Sequence, residues 1–159
     1  MLRLLSVCGL VTAILLALDH GRGDGHRFRA ELSGDEEVPA VATEMSGKFR
    51  IEFAEDYSSA TFRMDVRDGV RVTQSHLHCG EEGVNGPVIV FLGGFHDRGW
   101  DIDGRWLDGV TVTDENIVNT ACGSTLRDIA QAIEEGRIYV NVHTVAVPSG
   151  EIRGQLDAD

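Results

Sequence analysis

The stretch Phe62–Arg67, FRMDVR, puts Phe62, Met64 and Val66 at alternate positions with Arg63, Asp65 and Arg67 between them. Side chains two apart share one face of a strand, so this run reads as a half-buried β-strand. The same alternation recurs upstream in Phe28, Ala30 and Leu32, and again in Phe49, Ile51 and Phe53. Downstream, Pro87–Leu92 (PVIVFL) is a continuous apolar run and reads as a strand enclosed on both sides. Ile138–Thr144 and Glu151–Leu156 supply two more strands. In the last, Ile152, Gly154 and Leu156 form one face, and Glu151, Arg153 and Gln155 form the other.

Polar and glycine-containing stretches separate these runs. Ser33–Glu37, Glu55–Ser59, Asp68–Gly69, Glu81–Gly86 and Pro148–Gly150 read as turns or loops, and Asn85 and Gly86 read as turn formers before Pro87. One segment follows a helical period: Leu126, Ile129, Ala130 and Ile133, with Thr125 as cap, Asp128 three residues on, and Gly136 as stop. Thr113–Val118 reads as a shorter capped turn. The expected architecture is all-β, an antiparallel sandwich or partly closed barrel of roughly seven to nine strands, with one short α-helix near residues 125–135. Phe91–Trp106 fits either an edge hairpin or a long exposed loop. Its Trp100 and Trp106 would make a recognition surface or cap the end of the core.

The N-terminus has a different character. Arg3 is followed by an apolar run to Leu18 and then by the polar stretch Asp19–Asp24. This is the layout of a secretory signal peptide, and the apolar part is shorter than the about 20 residues a membrane span needs. Residues 1–19 are therefore read as a signal peptide or N-terminal anchor, 20–26 as a flexible linker, and 27–157 as a single domain. The expected location is secreted, periplasmic or otherwise extracytoplasmic.

Charge narrows the partners. The chain has 26 acidic and 14 basic residues and a formal net charge of -12. Nucleic-acid binding needs cationic patches, so no nucleic acid is expected, and no membrane beyond the N-terminal segment. Beyond the leader two cysteines remain, Cys79 and Cys122, and an even pair in an exported protein reads as a disulfide. The competing role for Cys79, a metal ligand, is disfavoured because it points away from its histidine neighbours in a regular strand.

Those neighbours carry the sharpest chemical signal. His76 and His78 alternate in TQSHLHCG, residues Thr73–Gly80, and so share a face. His143, in YVNVHT, would add a third imidazole from an adjacent strand, and three neutral imidazoles suit copper or zinc. Glu151 and His96 are candidates for a fourth ligand. The bland alternative is a hydrogen-bonded network, joined by Asn141, that only specifies the fold.

The order of segments resembles the CHRD domain family. The matching residues are Phe28–Pro39 (FRAELSGDEEVP), Gly47–Phe49, Val72–Gly80 (VTQSHLHCG), Asn85–Val90 (NGPVIV), the helix before Gly136, and Tyr139–Gln155 (YVNVHTVAVPSGEIRGQ). The resemblance covers nearly all of the chain beyond the leader and implies an all-β, immunoglobulin-like extracellular domain. It implies architecture more than activity. The spacing of His76, His78, His96 and His143 is also loosely similar to that of copper–zinc superoxide dismutase, but the dense zinc loop of that enzyme has no counterpart. No nucleophile elbow, phosphate loop or dinucleotide fingerprint occurs, and Asp97, Asp101 and Asp103 lack the spacing of an EF-hand. The expected function is an exported binding or structural domain holding copper or zinc, more a binder than an enzyme. The alternatives are a metal-dependent redox enzyme and a metal-free interaction module, with a protein partner or a second copy meeting an apolar patch at Phe95, Trp100 and Trp106.

Overall fold

In the computed structural model, which describes residues 26–159, Ala60, Phe62, Met64 and Val66 are buried while Thr61 and Arg63 face outward. The alternation read from FRMDVR is thus the alternation of the strand. The elements in chain order are β1 (Arg27–Ser33), β2 (Ser46–Phe53), β3 (Ala60–Cys79), β4 (Val88–Gly93), β5 (Trp100–Val112), α1 (Leu126–Glu134), β6 (Ile138–Thr144), β7 (Ile152–Gln155) and β8 (Asp157–Ala158). Neighbouring strands follow the order β2-β1-β7-β6-β3, and β2 pairs with β3 to close a five-stranded ring. β4 and β5 add to β3, and β8 adds to β1. Of the two architectures expected, sandwich or barrel, the closed ring selects the barrel. The leader and all but the last residue of the linker lie outside the described residues.

β3 makes closure possible because it is long enough to serve two neighbourhoods. Its first part pairs with β2 and β5, and its last part with β6 and β4. Between them the register against β5 shifts twice, from Val66 to Gly69 and from Gly69 to Val72. Asp68 and Arg71 take positive φ at this point, 54° each. Such bulges bend a strand and re-aim its side chains. The Arg71 backbone N–H donates to Asp101 Oδ1 at 3.0 Å and its Nε donates to the Arg98 carbonyl at 3.0 Å, which holds the bend.

The ring encloses the inward rows of β1, β2 and β3 together with Leu77, Val140, Val142 and Ile152. Full burial of each large apolar side chain contributes about 1.5–3 kcal/mol, so these rows hold the ring closed. α1 packs on β6 and β8 with Leu126, Ile129, Ala130 and Ile133 buried. Its cap is the one read from the sequence: Thr125 Oγ1 accepts from the Asp128 backbone N–H at 3.2 Å, and Asp128 Oδ2 accepts from the Thr125 backbone N–H at 3.0 Å. Gly136 ends it at φ 70°. The shorter turn is a 3-10 segment, Asp114–Asn116, capped by Thr113.

One expectation is corrected, and another gains a covering the sequence did not show. Pro87–Leu92 is not enclosed on both sides: β4 pairs with β3 along one edge, and Phe91 is 54% exposed. Its apolar run reflects a ring laid over a neighbour on β3. Arg153 and Gln155, read as sharing one face, do stand opposite Asn141 and Tyr139 on β6. But Arg153 is 2% exposed, and all seven residues of β6 are buried. The outer face of this part of the ring is covered by the loops between β1 and β2, β3 and β4, and β6 and β7. The result is a second, polar interior layer outside the apolar one.

Candidate metal centre

That polar layer contains the three histidines. In register, His76 on β3 faces Asn141 on β6, His78 faces Tyr139, and His143 faces Gln74. Residues two apart in each strand share the face, so His76, His78 and His143 converge on one side of the β3–β6 pair. Their ligand atoms all lie within 4.8 Å of one another. All three rings are buried, at 3%, 8% and 6% exposure respectively.

Hydrogen bonding fixes which nitrogens carry protons. His78 Nδ1 lies 2.9 Å from the Gly86 carbonyl, and His143 Nδ1 lies 2.9 Å from the Pro148 carbonyl. A carbonyl only accepts, so both Nδ1 atoms donate. Burial holds all three imidazoles below their ordinary pKa, and His76, which also faces His143 and His78, falls to about 3. The hydrogen bond to Gly86 and the amide of Asn141 oppose the fall at His78, and the bond to Pro148 opposes it at His143. Each ring is therefore neutral, and each Nε2 of His78 and His143 presents a lone pair. His76 Nδ1, 2.9 Å from His143 Nε2, then donates to it. Its own Nε2 is left as a lone pair. His76 Nε2 and His78 Nε2 are both buried without a hydrogen-bond partner.

Orphaned buried acceptors are uncommon and call for a cation or donor. A proton is a poor candidate where burial depresses the pKa. A transition metal fits better: imidazole nitrogens suit copper and zinc, and backbone carbonyls on the far nitrogens orient such ligands. Among the described residues these three histidines form the group able to hold a metal ion.

The surroundings hold the rings in place. Tyr139 stacks on His78 at 4.7 Å with an interplanar angle of 11°. The Arg153 guanidinium sits 3.5 Å from the Tyr139 ring centroid. Both cannot occupy one face, so Tyr139 is sandwiched between them. Arg153 also donates to Asn85 Oδ1 and to the carbonyls of Glu81 and Val84. Phe91 meets His76 edge-on at 4.8 Å. Cys79, next to His78, is joined to Cys122 with Cα atoms 5.6 Å apart, so it is a bridge and not a ligand.

The two candidate fourth ligands are not brought to this cluster. Glu151 accepts from Thr43 Oγ1 at 2.6 Å and from Thr144 Oγ1 at 2.5 Å. His96 lies against Trp100, with centroids 4.4 Å apart and Asp97 at 4.0 Å. Of the tryptophans, Trp106 packs on the core, whereas Trp100 is 38% exposed, and Phe95 is 72% exposed. Sequence reasoning missed Glu37, which lies buried by Asn141, and the work of Asn85 and Gly86, which it took as turn formers only. Asn85 Nδ2 donates to the Val38 carbonyl at 2.7 Å while its Oδ1 accepts from Arg153. The apposition of NGPV to an HLH strand was the available signal for Gly86. None existed for Glu37.

Fold and site together define a disulfide-linked β-barrel domain with a buried three-histidine cluster on its outer layer. The chain belongs to the CHRD domain family, whose model matches residues 28–156. No curated protein and no solved structure matched the chain in parallel comparisons.

Proposed function

We propose that this domain is an exported binding or structural module that holds copper or zinc through His76, His78 and His143. The observation that carries the reading is the pair of unpartnered buried nitrogens, His76 Nε2 and His78 Nε2, in a cluster whose ligand atoms lie within 4.8 Å. The disulfide and the family both favour an oxidising, extracytoplasmic setting. Burial of all three rings supports holding a metal over turning over a substrate, since a catalytic metal needs an accessible coordination position. A redox enzyme of dismutase type is accordingly the weaker reading.

Metal content and calorimetric titration with copper and zinc test this, using the oxidised protein beside His76→Ala/His78→Ala. Stoichiometric binding lost in a still-folded variant is the expected result. An intact protein that binds neither metal overturns the proposal and leaves the histidines as a fold-specifying network.

One observation favours a second role alongside. Val70, Phe95 and Trp100 are 64%, 72% and 38% exposed. Val72 pairs with Trp100, which places Val70 and Trp100 at one end of the β3–β5 ribbon, and Phe95 lies in the loop that leads into β5. An apolar end of this kind suits a protein partner or a second copy of the chain. Concentration-dependent sedimentation of the wild type against Phe95→Ser tests the second-copy form.

A further inference from the structure

A cleft of about 340 Å³ opens beside the histidine cluster, bounded by the loop after β1, the turn before β4 and the turn before β7. Its volume falls in the usual range of small-ligand sites, roughly 300–1,000 Å³. Glu37 at 8% and Asn141 at 3% exposure are deeply buried in its lining, beside Tyr139 and His78. Glu37 Oε1 and Asn141 Oδ1 have no close hydrogen-bond partner, although the Asn141 amide acts on both Glu37 and His78. A buried acceptor left unmet costs on the order of 1–3 kcal/mol. Donors on a ligand would meet both atoms.

The charge of the site limits what those donors are. Arg153 is buried nearby and its field acts on Glu37, yet its hydrogen bonds go to the neutral acceptors Asn85, Glu81 and Val84. Burial holds the Glu37 carboxyl above its ordinary pKa, and the field of Arg153 opposes that shift. A cationic ligand would meet the guanidinium's repulsion, and an anionic one the carboxylate's. A neutral ligand meets neither. The polar groups are also mixed: Glu37 accepts, whereas the Asn141 amide and the Ser149 hydroxyl both accept and donate. That combination matches adjacent hydroxyls, each at once donor and acceptor. Val38, Pro39 and Val41 line the same cleft and offer an apolar wall to C–H groups. Gly150 keeps the floor open, since a Cβ there would stand 2.4 Å from Glu37 Oε1 and 2.8 Å from Asn141 Nδ2.

We propose that this cleft binds the vicinal hydroxyl pair of a neutral saccharide, with Glu37 and Asn141 on the hydroxyls and the Val38–Pro39 wall against the ring's C–H face. His78 lines this cleft as well as the metal cluster, so the proposal is tested with and without a chelator.

The experiment is an NMR titration of the oxidised, nitrogen-labelled protein with the methyl glycosides of glucose, galactose and mannose. Ethylammonium chloride and sodium acetate serve as charged probes. The expected result is a saturable shift at Gly86, Gly150 and the Asn141 side-chain amide with at least one glycoside. Glu37→Gln should weaken it roughly tenfold or more, because one of the two carboxylate acceptors is exchanged for a donor. Glu37 is buried, so Ser149→Ala on the exposed rim is the second variant, and it too should weaken binding. No saturable shift in the cleft with any glycoside overturns the proposal. So does preferential saturation by either charged probe, or binding that neither variant weakens.

Discussion

His76 Nδ1 lies 2.9 Å from His143 Nε2, a buried imidazole-to-imidazole hydrogen bond that ties β3 to β6. The bond orders the cluster but uses up the lone pair of His143. Breaking this bond frees the His143 lone pair for a metal, while His76 keeps one N–H and one lone pair, as a neutral imidazole does. Because burial keeps all three rings neutral, metal binding near pH 7 should release no proton from them and should weaken only where falling pH protonates them. Calorimetry in buffers of different ionisation enthalpy counts the protons directly. Binding heat that varies with the buffer near pH 7 would show that the rings are not neutral in the metal-free protein.

The pH dependence of the metal-free fold has a definite sign. His76 has a folded pKa of about 3 against an ordinary 6.5, and His78 and His143 are shifted in the same direction. Between the two values the unfolded chain binds more protons than the folded one, so stability falls as pH drops. It is intact above the ordinary histidine range and declines from about pH 6.5 downward, by at most about 1.4 kcal/mol per pH unit for each histidine. Denaturant midpoints in a chelating buffer should fall between pH 7 and pH 5. His76→Gln should flatten the slope by one proton. A midpoint constant over that interval would show that these rings are not buried in their neutral form.

How much of this was readable in advance differs between the two layers of the molecule. The inner layer was legible: Phe49, Phe62 and Val66 alternate with charged residues, and only one burial pattern satisfies that period. The capped helix was legible for the same local reason. In the outer layer alternation also named the faces correctly, with Arg153 and Gln155 opposite the inward row. It could not say that loops from three parts of the chain fold over that face. Arg153 is buried by Glu81, Val84 and Asn85, residues about seventy positions away. Long-range covering of this kind leaves no local period. The His-x-His spacing did identify the cluster, because two of its members share one strand. His96 and Glu151 failed as ligands because nearness in sequence to a ligating strand does not fix where a loop directs its side chain.

The disulfide should matter to the cluster as well as to the fold. Cys79 and Cys122 are 43 residues apart in sequence. Closing a loop of that length stabilises by about 4 kcal/mol in the chain-entropy treatment. The bridge also anchors the end of β3 one residue beyond His78 and joins it to the segment before α1. Reduction should lower unfolding free energy by about 3–4 kcal/mol and should weaken metal binding in protein that remains folded. Parallel denaturation and metal titration, with and without a thiol reductant, measure both. Metal affinity unchanged by reduction would show that His78 is held by Tyr139 and Gly86 alone.

Arg153 is the test of the covering layer itself. Its guanidinium lies against Tyr139, donates to three neutral acceptors in the loop before β4, and is 2% exposed. Lysine keeps the charge but lacks the planar fork that spans those acceptors and stacks on a ring. Arg153→Lys should therefore cost about 2–4 kcal/mol of stability, mostly from carbonyls left unmet in a buried setting. Because Tyr139 separates Arg153 from His78, the change should also be felt at the histidines. The ring resonances of His78 should shift while those of the more distant His26, held by Tyr57, stay in place. Arg153→Lys with wild-type stability and an unmoved His78 would mean that the loops, and not the guanidinium they grip, hold the polar layer shut.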